Sequence, residues 1–256
     1  MAQLQIMSLN LCSWGHDDNT IEKRQERVKR LINKYKPCTL GVQEALPEWM
    51  EYLSSNLEGY AHVGEGREGG DKGEHTAIFY RTDKLSLIKT ETFWLSETPY
   101  VVSKSWGSRC LRILTWAKFR LAGTEEEFVH VNTHIDFGEL APIMQTRMVL
   151  DNINSFNLPV ICTGDFNYKE DSEGYILLTS GKMGDARYLA ENTTNIGTYH
   201  GFGKNDVSQD KPIDFCFVSK NDFRVNCYKV LNEKIDGGFY SDHHAVYVEL
   251  DFKTEL

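Results

Sequence analysis

The chain has 256 residues, 41% of them hydrophobic and 25% charged, with 28 basic against 37 acidic side chains and a formal net charge of −9. This composition excludes a broad basic surface for gripping nucleic acid nonspecifically. It leaves room for a nucleotide or another phosphate ester held in one local pocket, and an acidic cleft suits a divalent cation.

Leu4 to Leu11 reads as a strand that opens the domain. "NTIEKRQERVKRLINKYK" follows, with Ile21, Val28, Leu31 and Ile32 at helical spacing and Asn19 or Thr20 as cap. Pro37 ends that helix, "CTLGVQE" is a short apolar strand, and a second helix starts near Pro47 with Trp49, Met50 and Leu53. Residues 64–74, "GEGREGGDKGE", form a flexible surface loop with five glycines and no apolar side chain. Strands are predicted at 75–81, 84–95, 111–121 and 127–133, a helix at 139–156, then the strand "PVICTGD" and further strands at 212–218, 223–231 and 244–252. This order predicts an α/β fold of two packed sheets with helices on the outer faces, in one domain spanning residues 1–256.

The six cysteines (12, 38, 110, 162, 216, 227) are scattered without a C-x-x-C pair, and the opening "MAQLQIMSLNLC" has neither a basic start nor an uninterrupted apolar core. A reducing cytoplasm is the expected compartment. No stretch is long enough to span a membrane, and no exposed aromatic loop for membrane insertion stands out. A monomer without stable membrane association is expected, and no protein partner is inferred.

Strand after strand ends in a polar group. "SLN" ends with Asn10, "GVQE" with Glu44, "FVHVNTHID" with His134 and Asp136, and "VICTGDFN" with Asp165 and Asn167. "KPIDFCFV" opens with Asp214, and Asp242 and His243 stand just before the last strand. Each has a bland reading alone: a turn-satisfying Asn10, a helix-terminal Glu44, a hydrogen-bonded His134, a turn-capping Asp136. Jointly they describe one site at a sheet edge. Hard oxygen ligands suit Mg²⁺ or Mn²⁺, and a metal with an oriented His–Asp pair and an amide donor describes hydrolysis of a phosphate ester by in-line water.

The motifs "SLN", "GVQE", "NTHID", "TGDFN", "IDFCFVS" and "SDHHAV", in this order across residues 8 to 246, resemble the endonuclease/exonuclease/phosphatase superfamily. "GREGGDKGEHTAIFYR", "FWLSETP" and "RILTWAKF" look like a compact bacterial branch of metal-dependent hydrolases. The resemblance implies a DNase I-like four-layered α/β/β/α sandwich of mostly antiparallel sheets. It further implies Glu44 as principal metal ligand with Asn10 beside it, and Asp242 at the metal or its water shell. Asp165 would orient or deprotonate the attacking water, and Asn167 would hold a phosphate oxygen or the nucleophile. His134 would bind the phosphate, and His243, oriented by Asp214, would act as base or charge stabiliser. Ala245 stands where the family usually has proline, and Cys216 where an aliphatic residue is usual.

Arg112 is the candidate cationic substrate contact, ahead of Arg67 and Glu74 in the glycine-rich loop. Tyr199 and His200, in "NIGTYHGFG", are candidate pocket walls that could equally anchor their own loop; Trp94 and Trp106 read as core. The acidic balance favours a small or single-stranded phosphoester over long duplex DNA. Two other readings compete: a non-catalytic module that binds a phosphorylated ligand, and a sphingomyelinase-like phospholipid phosphodiesterase.

Overall fold

The structure, a computed structural model, describes residues 3–253. β1 (Gln3–Asn10) leads through a 3₁₀ turn at Asp17–Asn19 into α1 (Ile21–Tyr35), then β2 (Thr39–Gln43), α2 (Pro47–Asn56), β3 (Tyr60–Val63) and β4 (Ile78–Arg81). The middle of the chain supplies β5 (Leu85–Trp94), β6 (Ile113–Leu121), β7 (Glu127–His134), α3 (Ala141–Asn154) and β8 (Val160–Asp165). After α4 (Glu173–Thr179), β9 (Met183–Asp185), α5 (Ala186–Leu189) and β10 (Asn192–Thr193), the fold closes with β11 (Asp214–Ser219), β12 (Phe223–Leu231) and β13 (Ala245–Phe252).

The strands form two sheets, ordered β10-β12-β13-β1-β2-β4-β3 and β5-β6-β7-β8-β11-β9. Most pairs are antiparallel; β1–β2, β7–β8 and the short β10–β12 pair run parallel. A parallel pair needs a crossover, here α1 and α3, and it ends both strands at the same edge. Register then sets Asn10 beside Gln43 in one sheet, and His134 and Asp214 on either side of Asp165 in the other.

Three apolar layers follow from strand alternation. Met7 and Leu9 of β1 face outward onto Val28, Leu31 and Trp49 of the first two helices. Val129 and Val131 of β7 face outward onto Val149 and Ile153 of α3. Between the sheets, Leu4 and Ile6 meet Phe128 and Ile161. Along that inner face every central strand turns polar toward one edge: Leu4, Ile6, Ser8, Asn10 in β1, and Phe128, His130, Asn132, His134 in β7, all buried. β8 does the same with Ile161, Thr163 and Asp165.

The polar part of the inner face is a hydrogen-bonded seam. Gln43 Nε2 donates to Ser8 Oγ at 3.2 Å and to Asn132 Oδ1 at 2.8 Å. Asn132 Nδ2 crosses between the sheets to the carbonyls of Val42 and Ala77, both at 2.9 Å. Thr163 Oγ1 donates to Asn132 Oδ1 at 3.1 Å and accepts from His130 Nε2 at 2.8 Å. Buried polar groups are tolerated when partnered in this way, so the seam ties the sheets together directly beneath the strand ends.

The first helix, the central strands and α3 lie where the sequence places them, within the usual drift of element ends. β3, α4, α5 and the two- and three-residue strands have no counterpart in the sequence pattern, being too short to show a period. The loop expected to be flexible at residues 64–74 is internally bonded: Arg67 N–H to Glu74 O at 2.9 Å, Glu68 N–H to Lys72 O at 3.1 Å and Gly66 N–H to Gly70 O at 2.6 Å. The expectation of no exposed aromatic loop is corrected by the β5–β6 connection, where Tyr100 is 76% exposed beside exposed Val101 and Val102. Among the described residues no helix is long and apolar enough to cross a membrane.

Candidate active site

At the polar edge, Asp214 accepts from His243 Nδ1 at 2.8 Å, and the other imidazole nitrogen, Nε2, lies 3.9 Å from Asp165 Oδ2. All three side chains are buried. Burial opposes charge on His243, but the Asp214 carboxylate, with Asp165 and Asp242 nearby, outweighs it and carries the imidazole pKa up to about 10. His243 is therefore an imidazolium at neutral pH. Burial, together with repulsion from Asp214, pushes the Asp165 pKa up as well, to about 7, which for an acid disfavours the charged form. Asp214 Oδ1 has no hydrogen-bond partner although it is buried.

Asp165 is fixed at both oxygens. Oδ1 accepts from Asn167 N–H at 2.9 Å, and Oδ2 accepts from Asn10 Nδ2 at 2.9 Å. Asn10 Nδ2 also donates to Glu44 Oε1 at 3.1 Å, while its own oxygen accepts from Cys12 N–H at 2.9 Å. The amide thus holds two carboxylates together with its N–H groups, and the oxygen a cation would need is turned to Cys12. Burial works against the Glu44 charge, yet hydrogen bonds from Ser13 and Asn10 and the His243 charge hold its pKa below the ordinary range. Ser13 gives Glu44 Oε2 two of those bonds, from N–H at 2.8 Å and Oγ at 2.9 Å.

His134 completes the edge. Asn167 Nδ2 donates to the Ile135 carbonyl at 2.9 Å and contacts His134 Nε2 at 3.0 Å. A nitrogen that serves a carbonyl is a donor, so His134 Nε2 accepts and the proton sits on Nδ1. Burial, with the Arg112 and His243 charges, holds His134 well below the usual imidazole range. Its free-base Nε2 lies 3.5 Å from Asp165 Oδ2. Cys12, Glu44 and Asn167 all adopt positive φ, at 59°, 54° and 53°. Such backbone is uncommon outside glycine and concentrates at functional sites.

Glu44, His134 and Asp165 bring one ligand atom each to within 4.8 Å of one another, as do Asp165, Asp214 and His243. Carboxylate oxygens fit a hard divalent cation, whereas the His134 Nε2 lone pair is already taken by Asn167. The nearby Cys12 thiol is pushed far up by burial and stays protonated, so no thiolate joins the set. Asp242 lies beside Cys12 and Glu44, and burial raises its pKa.

The expected substrate contacts divide. Arg112 is buried with Nη2 3.7 Å from Asp136 Oδ1 and its Nε unpartnered, and it acts on His134. Asp136 accepts from Ser108 Oγ and from the N–H groups of Arg109 and Cys110, so it ties down the loop before β6 and not, as expected, the turn into the next helix. Tyr199 is exposed at the mouth, its ring 5.0 Å from that of His243. His200 is not brought to the cluster: it is buried, stacked on His244 at 4.1 Å, and faces a separate cavity of about 300 Å³. Arg67 pairs with Glu74 at 2.6 Å, and Trp94 Nε1 donates to Arg67 O at 2.7 Å from below.

Two supports carry no signal in the sequence. Ser13 lies beyond the strand, where no periodicity marks it. Arg24, 0% exposed, donates to the carbonyls of Leu11, Cys12, Trp14 and Asn19 and so fixes the loop that carries Ser13.

Residues 14–243 match the family model described as Endonuclease/Exonuclease/phosphatase family. The chain belongs to the endonuclease/exonuclease/phosphatase family. A family member from Bacteroides thetaiotaomicron is 33% identical with a TM-score of 0.91, over 99% of each chain. The mannosyl-6-phosphatase of the same organism is 33% identical with a TM-score of 0.90, over 97% of this chain and 100% of that one. The human Nocturnin catalytic domain, at 17% identity and a TM-score of 0.78 over 98% and 94% of the chains, shares the fold. No curated protein matches. The family's DNase I-like sandwich is the fold observed here. The departure at Ala245 has a local use, since its N–H donates to Tyr240 Oη at 2.9 Å, a bond proline could not make. Cys216 packs in the core between the sheets, as expected.

Proposed function

We propose that this protein is a divalent-metal-dependent hydrolase of phosphate esters, acting on a small phosphomonoester. The observation that carries the reading is the line Asp214–His243···Asp165, which pairs an imidazolium with a carboxyl group poised near neutrality. A buried imidazolium beside a buried carboxyl group whose pKa is raised toward neutrality is the kind of perturbed pair that functional sites build.

Glu44 would hold Mg²⁺ or Mn²⁺, with Asp242 at the water shell, while the His134 Nε2 lone pair stays with Asn167. When bound, the cation would polarise the phosphoryl oxygens and lower the pKa of water. Asp165, fixed by Asn10 and Asn167, takes the proton of the attacking water. His243 keeps its positive charge against a phosphoryl oxygen as the new P–O bond forms and the ester P–O bond opposite breaks, the leaving oxygen taking its proton from solvent water and Asp165 returning its own to solvent. Asp214 holds that imidazolium in place. Asn167, whose side chain is committed to Ile135 and His134, sets the Asp165 carboxylate through its N–H. Arg112 adds a fixed cation behind His134.

A monoester is favoured over a polynucleotide by the −9 net charge and by the 33% identity to a mannosyl-6-phosphatase across almost the whole chain. The test is phosphate release with Mg²⁺ or Mn²⁺ from hexose phosphates, glycerol phosphate, nucleotides, inositol phosphates, oligo(A) RNA, abasic DNA and sphingomyelin. Turnover of a monoester that disappears in Asp165→Asn and His243→Ala supports the reading. Full activity in both variants, or binding without turnover across the panel, overturns it.

A further inference from the structure

Trp14 is 47% exposed, yet it sits on a rigid loop. Its carbonyl accepts from the buried Arg24 guanidinium at 2.9 Å, and its indole meets Phe202 edge-on at 5.6 Å. The residue before it, Ser13, is bonded to Glu44. Ser13 also lies against Glu74, the carboxylate that Arg67 holds at 2.6 Å. Both members of that ion pair remain partly open to solvent, at 22% and 16%. The loop carrying them is closed by the Arg67 N–H bond to Glu74 O and anchored by Trp94.

An immobilised aromatic face and a fork of planar donors and acceptors therefore flank the same serine, one step from Glu44. The phosphate-handling groups described above use neither. We propose that Trp14 and the Arg67–Glu74 pair form the leaving-group subsite, and that the group it takes is an uncharged, hydroxylated sugar ring. This rests on the reading of the site as a phosphomonoester hydrolase.

The chemistry argues for a polyol over other leaving groups. An indole offers apolar area at little entropic cost to the apolar face of a ring. Arg67 has only donors and Glu74 only acceptors, so together they serve adjacent hydroxyls, each of which donates and accepts. Beyond Trp14 the rim carries Asp17 and Asp18, both well exposed. A chain of further phosphates leaving along that rim would meet like charge.

The experiment compares kcat/KM with Mn²⁺ for a hexose 6-phosphate, glycerol 3-phosphate and a nucleoside 5′-monophosphate, in wild type, Trp14→Ala and Glu74→Gln. The wild type should prefer the hexose phosphate, and each variant should cut the hexose-to-glycerol ratio by about tenfold or more, as loss of hydroxyl recognition does in a built site. Circular dichroism confirms the fold of each variant, and Glu74→Gln keeps the side chain's shape. An unchanged ratio in both variants, or a wild-type preference for the nucleotide, overturns the subsite while leaving the phosphomonoesterase intact. Wild type that turns over none of the three esters overturns both.

Discussion

His243 and Asp214 are 2.8 Å apart at the edge of the second sheet, and each is buried with no water-facing alternative. The pair forms because β11 begins with Asp214 opposite Asp165, while the turn before β13 brings His243 over it from the other sheet. A single proton is thus shared across the interface of two sheets.

That proton sets a pH window. The folded-state pKa of His243 is about 10, above the ordinary imidazole value of 6.5. Its contribution to stability is therefore full below pH 6.5 and lost as pH rises through 10. In Asp214→Asn the imidazole loses its hydrogen-bonded carboxylate, the strongest influence opposing burial, and its pKa falls although Asp165 and Asp242 remain. We expect kcat at pH 8 to fall by about 10²-fold or more in that variant, in keeping with general acid–base and electrostatic contributions. In metal-free buffer, the urea stability gap between wild type and variant should narrow from pH 6.5 toward pH 10. A constant gap, with an unchanged pH–rate profile, would refute the assignment.

Glu44 tests the metal. A ligand that binds only the folded state stabilises it by RT ln(1 + [L]/Kd), about 2.7 kcal/mol at 100 Kd. Titrating wild type with Mn²⁺ should raise the melting temperature and Glu44→Gln should abolish most of that rise. Chelator should remove activity and Mn²⁺ restore it. Turnover that survives exhaustive chelation would sink the metal-dependent mechanism.

How legible this was depends on where each residue sits. Asn10, Glu44, His134 and Asp165 were legible because polar groups recur at or just past the ends of successive strands, although none of them stands out alone. Arg24 was not legible because it lies in a helix rich in lysine, arginine and glutamate, where one more arginine reads as solvated; only the four carbonyls of a neighbouring loop make it a buried anchor. The inter-sheet seam left a trace that could have been followed. Ser8 and Asn10 alternate with Met7 and Leu9, and that alternation by itself marks a polar inner face. Which sheet that face would meet depends on pairing between residues far apart in the chain, and no local pattern encodes it.

Gly41 carries the seam's tightest demand. A Cβ there would come within 2.4 Å of Thr163 Oγ1 and 2.5 Å of Asn132 Oδ1. Both oxygens are locked in hydrogen bonds and cannot swing away. Gly41→Ala should therefore cost roughly 1–3 kcal/mol by urea denaturation, the usual range for overpacking. It should also lower activity, since Asn132 and Thr163 lie one strand step behind His134 and Asp165. Wild-type stability in this variant would show that the sheets part more easily than the seam implies.

His130, at the centre of the seam, gives the acid side of the pH profile. Thr163 Oγ1 spends its proton on Asn132, so His130 donates from Nε2 and is the neutral Nε2–H tautomer. Its Nδ1 is buried without a partner, and burial pushes the pKa down to about 3. The unfolded chain takes up this proton as pH falls below 6.5, whereas the folded protein refuses it until about pH 3. Across that window the unfolded state binds more protons, so stability falls with falling pH. Asp165 and Asp185, raised to about 7 and about 6, work in the opposite direction, because their folded forms hold protons that the unfolded chain has lost. The net wild-type slope mixes these groups, but the difference from a His130→Gln variant isolates the histidine, since glutamine keeps a donor toward Thr163 and does not titrate. The variant should be the less stable protein at pH 7.5. Its deficit should shrink by about 1.4 kcal/mol for each pH unit below 6.5. Paired urea melts from pH 7.5 to pH 4.5 read this directly, and a deficit that does not change with pH would mean that His130 is not held neutral in the fold.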